Sequence, residues 1–187
     1  MIDGHLRWDF EALFNELKIG LKKAFAKYGD EIESIGIDTW GVDYGLLDKD
    51  GKLISTPICY RDDRTKGMLE LAFQKLPKEE FFQHAANQFM EINTAFQLLS
   101  SVSELESAEK LLFMPDLFNY FLTGKCYNEF TISSTSQLMN SLTHQWDDVI
   151  FERLGLPQHL MQEIIYPGTV IGRLSDELAE EVGGNLN

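Results

Sequence analysis

Apolar residues recur at three- and four-residue spacings along much of the chain, a pattern that predicts amphipathic helices. The clearest case lies between Phe10 and Tyr28, where lysines separate the apolar positions. We predict a helix there, with Asp9 as its N-cap and an end near Gly29. The same spacing predicts later helices in KGMLELAFQKL, PKEEFFQHAA, NTAFQLLSSV, ELESAEKLL, MPDLFNYFLTG, QWDDVIFERLGLP and LSDELAEEVGG. Most of the chain after Thr65 is therefore expected to be helical.

Between the first helix and this helical region, runs rich in β-branched and aromatic residues predict strands. SIGIDT at residues 34–39 and VDYGLLD at 42–48 each have that composition. A turn at 48–52, DKDGK, then leads into LISTPICY at 53–60, which predicts a β-hairpin. The fold class is therefore expected to be α/β, with a hairpin-containing sheet followed by a mostly helical region.

Composition and charge narrow the range of partners. The chain has 187 residues, which fits one domain, or one domain with part of another, and with 44% apolar and 12% aromatic residues it can build a sizeable core. With 16 basic and 30 acidic residues the formal net charge is -14, so we expect no nucleic acid and no membrane as a partner. No apolar run reaches roughly 18 residues, and the start lacks the features of a secretory signal. We therefore predict a cytoplasmic protein.

The residues that usually hold metals, disulfides or phosphates are sparse. Cys59 and Cys126 lie far apart in different predicted elements, so we expect two free thiols. The four histidines are scattered and show no metal-ligand spacing, so no metal site is predicted. No segment matches GxxxxGK[ST] or GxGxxG, so the residues alone identify no nucleotide-binding loop.

The segment DTWGVD, residues 38–43, carries the clearest candidate chemistry. Two carboxylates and an indole surround a glycine at the end of a predicted strand. Because successive side chains of a strand point to opposite faces, these groups cannot all face one core. A carboxylate can accept sugar hydroxyls, the Trp40 indole offers a flat apolar face, and Gly41 lets a ligand approach the main chain. The alternative is a β-bulge between core strands, with solvated aspartates and a packed tryptophan.

Several longer segments together resemble a known family. They are SIGIDTWGVDYGLLDKDGKLISTPICYRDDRT, INTAFQLL, LLFMPDLFNYFLTGK, NEFTISSTSQL, QWDDVIFERLGLP and IYPGTVIG. The chain resembles the FGGY carbohydrate kinases in these segments, and within them the rhamnulokinase branch. The resemblance implies an actin-like, ribonuclease-H-like fold with sugar and ATP bound in a cleft between domains. It also implies phosphorylation of L-rhamnulose at its 1-hydroxyl, dependent on ATP and Mg²⁺.

The same resemblance suggests the substrate-binding residues. Gly41 matches a sugar-binding position of the family, where glycerol kinases have an arginine that touches substrate. We expect Trp40 and Asp43, its neighbours in the motif, to face the cleft. Asn93 in INT is a further candidate, near the position of an aromatic substrate contact in a related kinase. The YRDDR element at 60–64 either contacts substrate or forms an Arg–Asp pair that fixes its loop.

The resemblance further implies that residues 1–187 are part of the N-terminal, sugar-binding domain of such a kinase. Its phosphate-binding hairpin is expected upstream, and its general-base aspartate and adenine-binding domain downstream. We therefore assign no catalytic, cofactor-binding or metal residue within the chain, expect it to be inactive alone, and expect self-association through an exposed sheet edge or core. The alternatives are another FGGY kinase such as a xylulokinase, a non-catalytic sugar-binding module, and a helical interaction protein.

Overall fold

Nine α-helices and four short strands form the secondary structure of the computed structural model, which describes residues 1–185. The helices are α1 (Phe10–Tyr28), α2 (Met68–Lys75), α3 (Lys78–Ala85), α4 (Thr94–Leu99), α5 (Val102–Leu105), α6 (Met114–Thr123), α7 (Phe130–Ser133), α8 (Asp148–Leu154) and α9 (Asp176–Val182). The strands are β1 (Tyr44–Leu47), β2 (Lys110–Phe113), β3 (Asn128–Glu129) and β4 (Ile164–Ile165). β1 pairs antiparallel with β2, and β3 pairs parallel with β4.

Helix ends follow the capping chemistry of the sequence. The Asp9 carboxylate accepts from the Ala12 N–H at 3.0 Å and begins α1, which ends before Gly29 as predicted. At the end of α6, Gly124 adopts φ 73° and its N–H bonds to the Tyr120 carbonyl, so the glycine stops the helix. The predicted helices that match α2, α3, α4, α8 and α9 are confirmed as well.

The prediction of a helix over ELESAEKLL was wrong. A helical turn ends at Leu105, and the chain then enters β2, in which Leu111, Leu112 and Phe113 are fully buried. Residues 111–114 are all apolar, and such a short apolar run fits a buried strand as well as a buried helix, so periodicity could not distinguish the two. Pairing with β1, in the register Tyr44 opposite Phe113, decides for the strand.

The prediction of a strand at SIGIDT was also wrong, although the burial pattern keeps a period of two. Ile35 and Ile37 are half-buried, whereas Ser34, Gly36 and Asp38 are exposed. Backbone groups of residues 33–38 form no backbone hydrogen bond with any part of the chain that the structure describes. Without a neighbouring strand, the segment has the side-chain pattern of a strand but no ladder.

The predicted hairpin forms its turn but not its second strand. Within the turn, the Asp48 N–H donates to the Lys52 carbonyl at 2.9 Å. LISTPICY makes only isolated bridges, Leu47 with Leu53 and Arg7 with Ile58. Pro57 in this segment lacks the N–H that a continuous ladder needs, and β2 is the strand that pairs with β1 instead.

Three apolar clusters hold the elements together. The largest surrounds Phe81 and Phe96 and joins α2, α3, α4 and α8 to the sheet of β1 and β2. A second cluster packs α1 against α9 through Phe25 and Leu178. A third packs Phe10 of α1 on α6. The residues that precede β1 therefore lie where helices from both ends of the chain meet.

Cys59 and Cys126 are both free thiols. Within residues 1–185, no helix combines the length and the apolar character needed to cross a membrane.

Candidate functional site

A strained three-residue turn connects the Trp40 segment to β1. Val42 adopts φ 66°, a conformation that β-branched residues rarely adopt, and the Asp43 N–H donates to the Gly41 carbonyl at 2.9 Å across it. The Val42 carbonyl accepts from Thr94 Oγ1 at 2.8 Å and from Gln97 Nε2 at 3.2 Å. Strain of this kind persists only where the surroundings enforce it and is typical of functional sites.

Behind this turn, the Asp43 carboxylate is fully buried and accepts four hydrogen bonds. Oδ2 accepts from Trp8 Nε1 at 2.7 Å, Trp40 Nε1 at 3.0 Å and the Tyr60 N–H at 3.2 Å, and Oδ1 accepts from Gln97 Nε2 at 3.1 Å. Burial raises the pKa of Asp43, and these hydrogen bonds oppose that rise. Because all four neighbours are donors, they match the acceptor-only chemistry of an ionised carboxylate.

The network extends from Asp43 through Gln97 to Arg64. Gln97 is fully buried, and its Oε1 accepts from Arg64 Nη2 at 2.6 Å. Arg64 Nη1 also donates to Ser101 Oγ at 3.0 Å, while the Arg64 N–H donates to Asp62 Oδ1 at 3.0 Å. Asp62 and Arg64 both hold the YRDDR loop in place, although the Arg64 guanidinium contacts Gln97 and Ser101 and only the Arg64 backbone N–H contacts Asp62.

A cleft with a volume of ≈ 430 Å³ opens in front of the strained turn. Its walls come from four separate segments, at 40–42, 60, 87–93 and 135. The residues that line it are Trp40, Gly41, Val42, Tyr60, Asn87, Gln88, Met90, Ile92, Asn93 and Thr135. None of these side chains carries a formal charge, in a chain whose net charge is -14.

Three of the four candidate substrate-binding residues line this cleft together. Trp40 and Gly41 form one wall, and Asn93 belongs to another. Asp43 does not face the cleft as we expected, because the turn at Val42 directs its carboxylate into the protein, where donors occupy it. Asn93 is also mostly buried: its Oδ1 accepts from the Met90 N–H at 2.8 Å, and its Nδ2 donates to the Thr135 carbonyl at 3.0 Å.

Several lining residues escaped the sequence analysis, in particular Asn87, Gln88 and Thr135. Asn87 and Gln88 lie on a loop and Thr135 lies in a short 3-10 helix at 134–136, so only folding brings these distant residues together. Backbone strain marks the same region, because Ala86 has φ 52° and Gln137 has φ 65°. Gln137 Nε2 donates to the Gln88 carbonyl at 2.9 Å and thereby joins the two segments.

A second cavity, of ≈ 650 Å³, adjoins the cleft. It lies between residues 34–41 and 165–172, and it shares Trp40, Gly41 and Thr135 with the cleft. A Cβ added at Gly41 would lie 3.7 Å from Thr135 Oγ1. Gly41 and Thr135 therefore face each other at the point where the two cavities meet.

The lining of the cleft is suited to a neutral ligand with several hydroxyl groups. The Trp40 and Tyr60 rings can contact C–H faces, and the amides of Asn87 and Gln88 can donate and accept hydrogen bonds. Such a combination of aromatic surface and a few polar groups is typical of small-molecule sites. Among the described residues, no group of three or more Cys, His, Asp or Glu side chains could hold a metal ion.

Comparison with known sequences gives consistent matches over the whole chain. A sequence profile described as the FGGY family of carbohydrate kinases, N-terminal domain, matches residues 2–187. A rhamnulokinase of Halalkalibacterium halodurans is 40% identical over 188 residues, covering 98% of this chain and 40% of that protein. A rhamnulokinase of Bacteroides thetaiotaomicron is 41% identical over 186 residues, covering 97% of this chain and 38% of that protein. The chain thus spans about 40% of the length of the curated relatives it matches.

Solved structures with a similar fold include several sugar kinases. Gluconate kinase and xylulose kinase from Lactobacillus acidophilus each superpose with a TM-score of 0.87 and 18% identity, over 98% of this chain and 39% of theirs. Plasmodium falciparum glycerol kinase gives a TM-score of 0.80 and 19% identity, over 100% of this chain and 40% of that one. These likenesses support the expected α/β fold of the actin-like, ribonuclease-H-like class.

Proposed function

The chain belongs to the FGGY family of carbohydrate kinases, and from this premise we propose that its protein phosphorylates L-rhamnulose, with the cleft at Trp40 and Gly41 as the sugar site. The observation that carries the proposal is the uncharged lining of that cleft. An unphosphorylated ketose is neutral and rich in hydroxyls, so it needs aromatic surface and amide groups rather than cations. The 1-hydroxyl would receive the phosphoryl group.

L-rhamnulose is favoured over other sugars by the pattern of similarity. The rhamnulokinases are 40% and 41% identical to this chain, whereas the structurally similar gluconate and xylulose kinases are 18% identical. The DTWGVD segment also differs from the arginine-containing strand of glycerol kinases. A xylulokinase is therefore the less favoured alternative. A non-catalytic sugar-binding module is less favoured because the family and these relatives are kinases.

Within this proposal, six of the residues that line the cleft have defined tasks. Trp40 would stack against the C–H face of the sugar, and Gly41 would let a sugar hydroxyl approach the main chain. Asn87, Gln88 and the Tyr60 hydroxyl would hydrogen-bond the remaining hydroxyls. Asn93 would hold the 88–92 loop against Thr135, as its hydrogen bonds to Met90 and Thr135 indicate.

ATP and Mg²⁺ would supply and activate the phosphoryl group in the whole kinase, but the described residues do not fit either of them. They contain no cluster that could hold a metal ion, and the cleft lining contains no cation for phosphates. We therefore derive no step through ATP or Mg²⁺. We propose that residues 1–187 are part of the N-terminal sugar-binding domain, and that turnover needs a phosphate-binding hairpin and a general-base aspartate outside this chain.

The test is a calorimetric titration of the chain with L-rhamnulose, D-xylulose and glycerol, without nucleotide. We expect saturable binding of L-rhamnulose alone, and a loss of at least about tenfold in affinity for Trp40→Ala, because the stacking surface is removed. Circular dichroism of both proteins checks that they are folded. Equal affinity for the three ligands, or no binding by the folded chain, would contradict the proposal.

A further inference from the structure

Two indole rings meet over one buried carboxylate at the back of the cleft. The N–H groups of Trp8 and Trp40 both donate to Oδ2 of Asp43, at 2.7 Å and 3.0 Å. Their ring centroids are 4.3 Å apart, and their planes differ by 40°. Trp40 lines the cleft, whereas Trp8 does not. The ring that faces the cleft is therefore held from behind by a carboxylate and a second indole.

Trp8 is itself held in place by main-chain pairing. The backbone N–H of Trp8 donates to the Pro57 carbonyl at 2.9 Å, and the backbone N–H of Cys59 donates to the Leu6 carbonyl at 2.8 Å. The next residue in the 57–60 segment is Tyr60, whose N–H donates to the same Asp43 oxygen at 3.2 Å. Asp43 Oδ2 thus connects the N-terminal segment to both aromatic walls of the cleft.

An indole without a hydrogen bond can change its side-chain torsions, whereas one that donates to a fixed carboxylate keeps a single orientation. A wall that is already ordered before the ligand arrives loses less entropy on binding. The Asp43 carboxylate is fixed in turn, because Gln97 Nε2 donates to its other oxygen at 3.1 Å.

We propose that Asp43 is a positioning residue which, with Trp8 as its partner, holds the Trp40 indole as a preformed wall of the sugar cleft. This inference rests on the proposed function, because it assigns the cleft to a sugar. It gives Asp43 a role through Trp40 and Tyr60 instead of direct contact with sugar hydroxyls. It also gives Trp8, which lies 32 residues before Trp40 and outside the cleft, a role in binding.

The first experiment removes one donor and leaves an aromatic ring. Trp8→Phe keeps apolar contact with Trp40 but loses the hydrogen bond to Asp43, so we expect the Kd for L-rhamnulose to rise about three- to tenfold. Trp146→Phe is the matched control, because its indole also donates one hydrogen bond, to the Gln162 carbonyl at 2.7 Å, away from the cleft. We expect the control to bind with unchanged affinity.

The second experiment replaces the acceptor. Asp43→Asn presents an amide NH₂ to neighbours that are themselves donors, so we expect Trp40 to lose its fixed orientation and the Kd to rise at least about tenfold. The control is Asp147→Asn, another buried carboxylate, which accepts from His84 and Asn140. Near-ultraviolet circular dichroism of the closely spaced indole pair provides a readout without ligand. We expect its tryptophan band to weaken in Asp43→Asn and to persist in Asp147→Asn.

The outcomes separate this inference from the proposed function. Weaker binding by Trp8→Phe, with binding by Trp146→Phe unchanged, supports the inference, and a weakened indole band in a folded Asp43→Asn protein supports it further. Folded Trp8→Phe and Asp43→Asn proteins that bind L-rhamnulose like the parent overturn the inference. If the parent binds no sugar, the proposed function fails, and the indole band of Asp43→Asn alone decides whether Asp43 positions Trp40. If Asp43→Asn does not fold, binding by Trp8→Phe decides.

Discussion

At the scale of single residues, Gly41 is a position where the fold does not require glycine but ligand binding would. A Cβ there would meet nothing closer than Thr135 Oγ1 at 3.7 Å, which is an ordinary van der Waals distance. Its φ also lies outside the left-handed region that favours glycine. Neither packing nor backbone conformation therefore demands glycine at this position. A ligand that approaches the main chain between the two cavities would require glycine at this position.

We predict that Gly41→Ala leaves the free energy of unfolding within about 0.5 kcal/mol of the parent. The added methyl group projects into the passage between the cavities, so the Kd for L-rhamnulose should rise at least about tenfold. Urea denaturation and calorimetric titration measure the two quantities. Gly36→Ala is the control, because a Cβ added at Gly36 would meet no described atom within 4 Å, and Gly36 lines the larger cavity but not the cleft. Unchanged sugar affinity in Gly41→Ala would count against the assigned role of Gly41.

At the scale of secondary-structure elements, Asp116 connects α6 to the small parallel sheet. Its Oδ1 accepts from the Glu129 N–H at 3.1 Å, and its Oδ2 accepts from Asn128 Nδ2 at 3.2 Å. Asn128 Nδ2 also donates to the Leu111 carbonyl at 3.2 Å, so the junction includes β2. Burial raises the pKa of Asp116 from 3.8 to about 7.

This raised pKa predicts how the stability of the junction depends on pH. Between pH 3.8 and about 7 the folded state binds more protons at Asp116 than the unfolded state does. The contribution of Asp116 to the free energy of unfolding is therefore complete below pH 3.8 and is lost as pH rises through about 7. Asp116→Asn should remove a slope of up to about 1.4 kcal/mol per pH unit in that window. Urea denaturation at several pH values measures the difference between the two proteins.

Asp147 offers a control, because its pKa is shifted in the opposite direction from that of Asp116. Burial raises its pKa, but hydrogen bonds from Asn140, His84 and the Ile150 N–H outweigh burial, so the pKa of Asp147 is lowered overall. Its contribution to stability is present above the ordinary carboxyl pKa and is lost as pH falls through the lowered value. Asp147→Asn should therefore remove a pH dependence of stability in the acid range and leave the pH dependence near neutrality unchanged. Identical pH slopes in Asp116→Asn and the parent would contradict the assignment to Asp116.

At the scale of the whole molecule, residues 33–38 combine two properties that favour association. Ile35 and Ile37 share one side, and the backbone groups of the segment find no backbone partner among the described residues. Unpaired extended segments can pair with another chain. Self-association therefore stays a prediction for this chain.

Sedimentation velocity over a range of concentrations measures self-association. We expect dimers or larger species that decline in Gly36→Pro, because proline cannot donate a backbone hydrogen bond in the middle of the segment. Gly36 is exposed, and a Cβ added there would meet no described atom within 4 Å, which limits the effect of the substitution on the fold. A monomer at every concentration, with well-dispersed amide signals by solution NMR, would contradict the prediction.

The sequence by itself determined the elements whose signals are local. Asp9 and Gly29 bound α1, and Gly124 ends α6, because caps and stops act within one helical turn. It also marked Trp40, Gly41 and Asn93 as candidates, since their motifs resemble those of a known family. These features depend on neighbours in the chain or on shared motifs, so they need no tertiary contact to be recognised.

The tertiary structure decided everything that depends on distant partners. Leu111 and Leu112 lie in a strand because β1 pairs with them, whereas residues 34–39 form no strand because no segment among the described residues pairs with them. The donors that meet at Asp43 come from Trp8, Trp40, Tyr60 and Gln97. Hydrogen bonds act over about 3 Å in space regardless of separation in sequence, so the buried position of Asp43 and the role of Trp8 emerge only in the folded chain.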